Sequence, residues 1–233
     1  MNIMKLSIVI PIFNEEKTLL AVLKKVKAVN LGKIAKEIIL VDDCSQDSTA
    51  AVMKKIHDQD VKAFFHTKNT GKGGAVRTGF NHATGDIILI QDADLEYDPE
   101  DYPELIKPIL EGKADVVFGS RFLVKHKARY HLFYLGNKVI SVFASLLFLN
   151  WFSDVETCYK AFSRKALNKI RPSLKAQRFD LEPELAAKVV KNKLRLMEVP
   201  IWYKCRSFDE GKKITWKDGV KALFYILKYR FVD

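Results

Sequence analysis

Short apolar segments alternate with amphipathic segments through residues 5–90 of the chain. The apolar segments have the length of β-strands and lie at residues 5–10, 37–41, 61–66 and 86–90. The segments between them repeat apolar positions at helical spacing and lie at residues 15–27, 45–56 and 73–83. Short apolar strands that alternate with helices are typical of a parallel sheet covered on both faces. The pattern therefore predicts a three-layer α/β fold with a mostly parallel central sheet.

Polar residues follow each of these predicted strands. The first strand is predicted to end at Pro11, with Asn14 as the cap of the helix that follows. The other strand ends carry Asp42 and Asp43, residues 69–74, and residues 92–94. Helix caps and tight turns explain such residues one at a time. Because parallel sheets bind ligands at the carboxyl ends of their strands, four polar ends on one edge predict a nucleotide site.

Asp92 and Asp94 lie one residue apart directly after a buried strand. Two carboxylates in this arrangement can hold a divalent cation that carries a diphosphate. In the same site, Asp42 or Asp43 would contact the base or the ribose. The edge of the sheet thus has the parts of a nucleotide site.

Residues 71–77, Gly-Lys-Gly-Gly-Ala-Val-Arg, resemble a phosphate-binding loop superficially. They lack the spacing of a P-loop, which excludes that class of ATPase. Lys72 and Arg77 could still face a diphosphate, or support the metal loop, from the start of a helix. The structural alternative is a flexible backbone beside a basic cap.

The second half of the chain adds an arginine at the same edge of the sheet and two segments rich in apolar residues. Arg121 follows the predicted strand 114–118 on the same edge as the aspartate pair. Residues 139–149 are almost entirely apolar, are too short to span a bilayer, and suit either a core helix or a helix in the membrane interface. The tail, residues 216–231, is a candidate amphipathic helix that could dock on a membrane, bind a partner subunit or pack on the domain.

Composition and charge narrow the function classes. With 233 residues, of which 48% are hydrophobic, the chain is expected to form one domain over residues 1–233. No signal peptide or transmembrane segment is predicted, and three widely spaced cysteines indicate a reduced, cytoplasmic setting.

Residues 1–120 carry 15 Lys and Arg against 18 Asp and Glu, whereas residues 121–233 carry 24 Lys and Arg against 10 Asp and Glu. The basic half favours an anionic membrane surface or a phosphorylated substrate, or is a solvated face without a partner. Without a nucleic-acid-binding motif, no nucleic-acid partner is expected.

The motifs together resemble those of family-two glycosyltransferases, and most of all the polyprenyl-phosphate hexose synthases. They lie in order at residues 11–16, 41–49, 72–79, 91–100, 119–122, 154–160, 178–184, 198–200 and 210–213. The resemblance implies a GT-A fold, Rossmann-like, with C-terminal amphipathic helices at the membrane interface. It also implies inverting transfer of a hexose from a nucleotide sugar, GDP-mannose or UDP-glucose, to a polyprenyl phosphate, with Mg²⁺ or Mn²⁺ as the cofactor. Residues 1–120 would form the nucleotide-sugar and metal half, and residues 121–233 the acceptor and membrane-facing half. A peripheral membrane location, and a separate membrane subunit or a homo-oligomer, would fit this function.

The resemblance also assigns roles to residues of this sequence. On the donor side it gives Pro11, Phe13, Asn14, Glu15, Asp42, Asp43, Lys72, Arg77, Asp92, Arg206 and Lys212. The metal would lie on Asp92 and Asp94, and the acceptor phosphate would be bound by Arg121, Arg129 and Asn137. The structural alternative for either arginine is a surface charge. Catalytic roles fall to Asp94, Arg121 and Asp154, and both Asp154 and Glu156 would orient the sugar or the phosphate-binding arginine, or cap a strand. Two positions depart from the family pattern: Gln91 replaces an apolar residue, and Glu96 replaces a Gln and could join the metal.

The chemistry can also be argued from the acceptor. A lipid monophosphate is largely ionised at neutral pH, so it needs positioning more than a general base, and the planar guanidinium of Arg121 suits that role. The first alternative is a glycosyltransferase that acts on a soluble or polysaccharide acceptor, in which the apolar segment is ordinary core. The second is a nucleotide-sugar-binding protein that has lost activity, although both aspartates are present. Neither the sugar nor the nucleobase can be read from the sequence.

Overall fold

The computed structural model describes residues 3–124, 131–206 and 216–232. The strands are β1 (Lys5–Ile12), β2 (Ala35–Asp42), β3 (Val61–Phe65), β4 (Ile87–Ile90), β5 (Val116–Ser120), β6 (Lys160–Ser163) and β7 (Leu196–Pro200). The α-helices are α1 (Leu19–Ala28), α2 (Thr49–Lys54), α3 (Gly71–His82), α4 (Tyr102–Leu110), α5 (His131–Phe148), α6 (Arg164–Ile170), α7 (Leu181–Lys191) and α8 (Trp216–Phe231). Short 3₁₀ turns lie at Pro99–Asp101 and Arg171–Ser173.

The seven strands form one sheet in the order β3-β2-β1-β4-β6-β5-β7. All neighbouring pairs are parallel except those of β6, which runs antiparallel to both β4 and β5. The predicted mostly parallel α/β sheet is confirmed. Because β6 inserts between β4 and β5, the sheet continues from the first half of the chain into the second.

The first strand and the helix after it differ from the prediction. β1 continues through Pro11 to Ile12. The carbonyl oxygen of Val9 accepts a hydrogen bond from the backbone N–H of Gln91, the residue after β4. Alternate residues of a strand direct their backbone groups to the same side, so the nitrogen of Pro11 also faces the β4 side. The pairing between β1 and β4 ends before this point, at Val9. The missing N–H of Pro11 therefore removes no ladder hydrogen bond.

The prediction that Asn14 caps the first helix is wrong, because α1 begins at Leu19. Asn14 has a φ of 55°, its N–H donates to Ser45 Oγ at 2.9 Å, and its Oδ1 accepts from Gln46 N at 2.8 Å. Asn and Asp tolerate this left-handed conformation better than other residues. Asn14 therefore ties the end of β1 to the loop after β2.

Each of the two amphipathic helices has one face in the core and a second apolar face in solvent. In α5, Ile140, Ala144 and Phe148 are buried, and in α8 so are Ala222, Ile226 and Tyr229. Four exposed apolar residues line the outer side of each helix: Leu135, Val139, Val142 and Leu146 on α5, and Val220, Phe224, Leu227 and Phe231 on α8. The two helices pack against each other. None of the helices within the described residues combines the length and the hydrophobicity that a membrane-spanning helix requires.

Candidate active site

The loop that carries Asp92 and Asp94 is held in place by a buried glutamine. Gln91 Oε1 accepts from the hydroxyl groups of Tyr102 (2.7 Å) and Tyr159 (2.6 Å), and its Nε2 donates to the carbonyl oxygen of Asp92 at 2.9 Å. A buried side-chain amide is stable only when its polar atoms are paired in this way. The unusual Gln at this position therefore fixes the start of the aspartate loop.

Lys72 links Asp92 to a second carboxylate. Its Nζ lies 3.0 Å from Asp92 Oδ1 and 3.0 Å from Glu182 Oε1 at the start of α7. The glycines around Lys72 allow this approach, because a Cβ at Gly73 would lie 2.7 Å from the carbonyl oxygen of Ala176. Of the two predicted roles for Lys72, support of the metal loop fits these contacts.

Arg206 connects Asp94 to the end of β1. Its Nη2 lies 2.9 Å from Asp94 Oδ2, and its guanidinium lies 3.4 Å from the carboxylate of Glu15. Burial, with the neighbouring Asp92 and Glu96 carboxylates, raises the pKa of Asp94 to about 7, although Arg206 opposes the shift. The structure thus brings the predicted donor residues Glu15 and Arg206 to the predicted metal residue Asp94.

Glu96 anchors the segment that carries Arg206. Its Oε1 accepts from Arg206 N at 2.7 Å, and its Oε2 accepts from the Tyr203 hydroxyl at 3.0 Å. The Glu96 carbonyl oxygen accepts from Lys204 N at 2.8 Å. Glu96, the second position that departs from the family pattern, therefore binds this segment, and its carboxylate accepts hydrogen bonds from these donors.

The two aspartates at the end of β2 have different surroundings. Asp43 accepts from Thr70 N, Thr70 Oγ1 and Gly71 N at 2.6–2.8 Å and pairs with His66 Nδ1 at 2.7 Å. Asp43 thus caps the start of α3, and it occupies the backbone N–H groups of Thr70 and Gly71 at this end of the helix. Asp42 is buried and accepts long hydrogen bonds of 3.3 and 3.4 Å from Ser45 N. Of the two, Asp42 keeps more capacity for a nucleoside hydroxyl.

Arg121 and Asp154 form a buried, bidentate ion pair. Arg121 Nε lies 2.7 Å from Asp154 Oδ2, Arg121 Nη2 lies 2.7 Å from Oδ1, and Arg121 N also donates to Oδ2. The guanidinium carbon lies 5.1 Å from the ring centre of Tyr203, the residue bound to Glu96. Asp154 therefore orients the arginine, and Tyr203 contacts both the arginine and Glu96 of the aspartate loop.

The first turns of α5 lie beside Arg121. The rings of Phe122 and Tyr134 meet at right angles with their centres 4.8 Å apart, and Lys138 Nζ lies 5.6 Å from the Phe122 ring. Asn137 is on the same stretch of helix and is partly exposed. The position of Lys138 next to Phe122, which follows Arg121 in the chain, makes Lys138 a further phosphate candidate.

Several predicted residues lie away from this cluster or outside the described residues. Arg77 faces the other way along α3, with its Nη1 3.5 Å from the Lys175 carbonyl oxygen, and lines a separate depression with Arg171. Pro11 and Phe13 lie partly exposed at the end of β1, where a base could stack. Arg129 and Lys212 lie outside the described residues.

The donor set fits a divalent cation that is completed by its ligand. Within residues 3–124, 131–206 and 216–232, no three His, Cys, Asp or Glu side chains converge as a metal cage. Asp92 and Asp94 each already hold a cationic side chain, Lys72 and Arg206. Mg²⁺ is commonly bound by one or two carboxylates together with substrate phosphates and water. The pair is therefore suited to a metal that arrives with a diphosphate.

Comparison with known proteins agrees with this geometry. The profile described as Glycosyl transferase family 2 matches residues 7–171. The chain belongs to this family. As a family 2 glycosyltransferase it carries its aspartate pair and Arg121 within the matched region.

Two relatives are similar over most of this family 2 chain. The UDP-N-acetylglucosamine–dolichyl-phosphate N-acetylglucosaminyltransferase of Methanococcus voltae is 32% identical over 94% of this chain and 94% of its own. The undecaprenyl-phosphate 4-deoxy-4-formamido-L-arabinose transferase of Salmonella paratyphi A is 30% identical over 90% of this chain and 63% of its own. The names of both relatives describe transferases and include a polyprenyl phosphate, dolichyl phosphate in the first and undecaprenyl phosphate in the second.

A solved structure confirms the fold. The glucosyl-3-phosphoglycerate synthase of Mycobacterium tuberculosis, determined with Mn²⁺, UDP and its product, superimposes with a TM-score of 0.72 over 99% of this chain and 81% of its own, at 20% identity. The predicted GT-A fold of this family 2 glycosyltransferase is confirmed. The same neighbour was also solved with Mg²⁺ and UDP.

Sequence analysis gave no role to Glu182, which the structure places on Lys72. Glu182 is the first glutamate of the Leu-Glu-Pro-Glu run at residues 181–184. A carboxylate in the first turn of a helix has an ordinary explanation as a partner of the helix dipole. The pattern therefore gave no reason to separate Glu182 from its neighbour Glu184.

Proposed function

We propose that this protein transfers a hexose from a nucleotide sugar to a polyprenyl phosphate at the cytoplasmic surface of a membrane, with inversion at the anomeric carbon. The observation that carries the proposal is the arrangement of cations on one edge of the sheet. Lys72 and Arg206 bind the aspartate pair, and Arg121 packs on Tyr203, which binds Glu96 two residues after that pair. Such an arrangement suits a diphosphate leaving group on one side and a phosphate acceptor on the other.

On the donor side, Asp42 would bind the nucleoside, with Pro11, Phe13 and Glu15 at the base. Asp92 and Asp94 would hold Mg²⁺ or Mn²⁺, which when bound supplies positive charge to the departing diphosphate. Arg206 already reaches both Glu15 and Asp94 and would turn from these carboxylates to the diphosphate. This movement would exchange one set of ion pairs for another.

On the acceptor side, the nucleophile is a phosphate oxygen that is already ionised at neutral pH. Asp154 binds Nε and Nη2 of Arg121, and this contact would direct the remaining guanidinium N–H groups to the phosphate. The attacking oxygen forms the new bond to the anomeric carbon as the bond to the nucleoside diphosphate breaks. No proton has to be removed from this acceptor, so Asp154 acts by orienting the arginine.

The lipid part of the acceptor is supported by the outer faces of α5 and α8. An open apolar depression of about 220 Å³ lies at the end of α5, lined by Val142, Ser145, Leu146, Leu149, Asn150 and Trp151. Lys221, Lys228 and Arg230 lie on α8 beside its exposed apolar residues. Exposed apolar side chains bordered by cations are typical of helices that lie in an anionic membrane surface.

The alternative function is transfer to a soluble phosphorylated acceptor, which the glucosyl-3-phosphoglycerate synthase neighbour favours. The two functions are separated by incubating the protein with radiolabelled UDP-glucose, GDP-mannose or UDP-N-acetylglucosamine, with and without a polyprenyl phosphate. We expect label to enter the organic phase only when the lipid phosphate is present. Transfer to 3-phosphoglycerate or another water-soluble acceptor would instead support the alternative.

Arg206→Ala is expected to weaken nucleotide-sugar binding by about tenfold or more, because charge-assisted hydrogen bonds to a diphosphate contribute roughly 1.5–3 kcal/mol each. Isothermal titration in the presence of Mn²⁺ measures the change. Arg195→Ala is the matched control, since Arg195 is exposed and paired with Asp115 at the far end of the sheet. Unchanged donor affinity in Arg206→Ala would remove this arginine from the donor site.

The outer helix faces give a second measurable expectation. Leu146→Asp together with Phe224→Asp is expected to reduce cosedimentation with anionic vesicles while activity on a short, water-soluble polyprenyl phosphate remains. Leu20→Asp on α1 is the control, because Leu20 is 55% exposed, comparable to 71% for Leu146 and 63% for Phe224. Equal losses in the control and the double variant would show that these faces have no special affinity for lipid.

A further inference from the structure

One oxygen of the Glu156 carboxyl group, Oε1, is buried without a hydrogen-bonding partner among the described residues. Glu156 as a whole keeps partial solvent contact, whereas its Oε1 atom is sealed from solvent and unpaired. Native proteins pair almost all of their buried polar atoms, because an unpaired one is costly. An exception of this kind is expected where a ligand supplies the missing partner.

The backbone on either side of Glu156 is fixed. Val155 N donates to Ser141 Oγ at 3.1 Å, and Cys158 N donates to the Tyr97 hydroxyl at 3.1 Å. The position of the Glu156 side chain is therefore set by a held segment, and its lack of a partner is a property of the packed structure.

This segment connects the two halves of the site. Asp154 at one end binds Arg121, and at the other end burial together with the nearby Asp92 carboxylate raises the pKa of the Cys158 thiol. Four residue steps span at most about 14 Å. Under the proposed function, the sugar passes between a diphosphate near Asp92 and a phosphate on Arg121, and Glu156 lies on the segment that joins these two sides.

The protonation state of Glu156 suits a sugar contact. Burial, with the nearby Glu182 and Asp154 carboxylates, raises the pKa of Glu156 to about 8, and Lys160 and Arg121 only partly oppose the shift. A protonated carboxyl group offers one donor and further acceptor capacity. Sugar hydroxyl groups both donate and accept, so they match this group better than a phosphate does.

We propose that Glu156 contacts a hydroxyl group of the transferred sugar and determines which sugar the enzyme accepts. The inference rests on the proposed function and adds a specificity residue to it. Sites that hydrogen-bond a substrate hydroxyl reject analogues that lack it, because the buried polar group is then left unpaired. Glu156 would discriminate among donors in this way.

Binding measurements with and without the sugar test the assignment. The wild-type protein is first titrated with UDP-N-acetylglucosamine, UDP-glucose and GDP-mannose, and the tightest ligand is compared with its nucleoside diphosphate. Glu156→Ala is expected to weaken the nucleotide sugar by about 5–30-fold and to leave the nucleoside diphosphate within about twofold. Glu156→Gln, which keeps a neutral donor and acceptor, is expected to retain most of the sugar-dependent affinity.

The possible results separate this inference from the proposed function. Equal weakening of the nucleotide sugar and the nucleoside diphosphate, or no change in either, would overturn the role of Glu156 while the proposed function stands. A wild-type protein that binds the nucleoside diphosphates and none of the three nucleotide sugars would overturn both.

A stability measurement provides an independent check. Glu156→Met removes the unpaired acid and keeps a similar volume, so we expect the Tm of the ligand-free protein to rise by about 2–4 °C while sugar-dependent affinity is lost. The matched control is Glu184→Met, since the Glu184 carboxylate accepts from Lys175 N and Ala176 N and its loss should lower the Tm. A lower Tm in Glu156→Met would mean that this carboxyl has an internal partner, against the proposal.

Discussion

Replacing Asp94 with Asn is expected to reduce kcat/KM by about 10²–10³-fold, the usual cost of removing one group that stabilises charge in a transition state. Asp94 is one of two carboxylates on the loop that Gln91 holds, and its negative charge now faces Arg206. Asn has nearly the same shape, so the loop should keep its conformation while the cation site loses a charge. Initial rates at saturating Mn²⁺, together with the signal of free Mn²⁺ in electron paramagnetic resonance, measure both effects.

The control for this variant is Asp98→Asn. Asp98 lies four residues further along and pairs with Lys25 at the surface, so its loss should leave the rate and the metal affinity close to those of the wild type. If Asp94→Asn bound Mn²⁺ and turned over like Asp98→Asn, the aspartate pair would not be the metal site. A lost rate with unchanged Mn²⁺ affinity would place Asp94 on the substrate instead.

Asp154→Ala is expected to lower the free energy of unfolding by about 3–5 kcal/mol, because it leaves the buried Arg121 charge without its partner. The side chain of Asp154 is inaccessible to solvent, and that of Arg121 is only 12% exposed, so water cannot replace the lost contact. Urea denaturation measures the change. Activity on a polyprenyl phosphate should be lost as well, since the arginine would no longer be oriented.

The double variant Arg121→Met with Asp154→Leu separates stability from function. Apolar residues of similar volume can replace a buried ion pair at little cost or even with a gain in stability. We therefore expect the double variant to recover most of the stability lost in Asp154→Ala and to remain inactive. A double variant that is stable and fully active would show that the pair has only a structural role.

The edge of the sheet was predictable from the sequence because it depends on local signals. Short apolar strands, each followed by Asp, Asn or Gly, placed Asp42, Asp92 and Arg121 on one edge, and the structure confirms that arrangement. The start of α1 was missed because Asn14 and Glu15 look like a helix cap, whereas Asn14 bonds to the loop after β2. Contacts between distant segments decided this point.

The same limit applies to the second half of the site. β6 joins the sheet antiparallel between β4 and β5, and no local pattern announces that position. The contacts of Arg206 with Glu15 and Asp94 join residues that are 191 and 112 positions apart. The resemblance to a family suggested Arg206, but its present partners are visible only in the folded chain. Likewise, no sequence pattern indicates that Glu156 Oε1 lacks a hydrogen-bonding partner among the described residues.

The glutamine at the end of β4 has a consequence for engineering of this enzyme. Gln91 satisfies the hydroxyl groups of Tyr102 and Tyr159 at once, so an apolar residue at this position would strand two buried phenols. Changing Tyr102 and Tyr159 to Phe in the same protein would remove that penalty. The three positions are therefore expected to show strong epistasis, and a library that varies them one at a time would miss the combinations that fold.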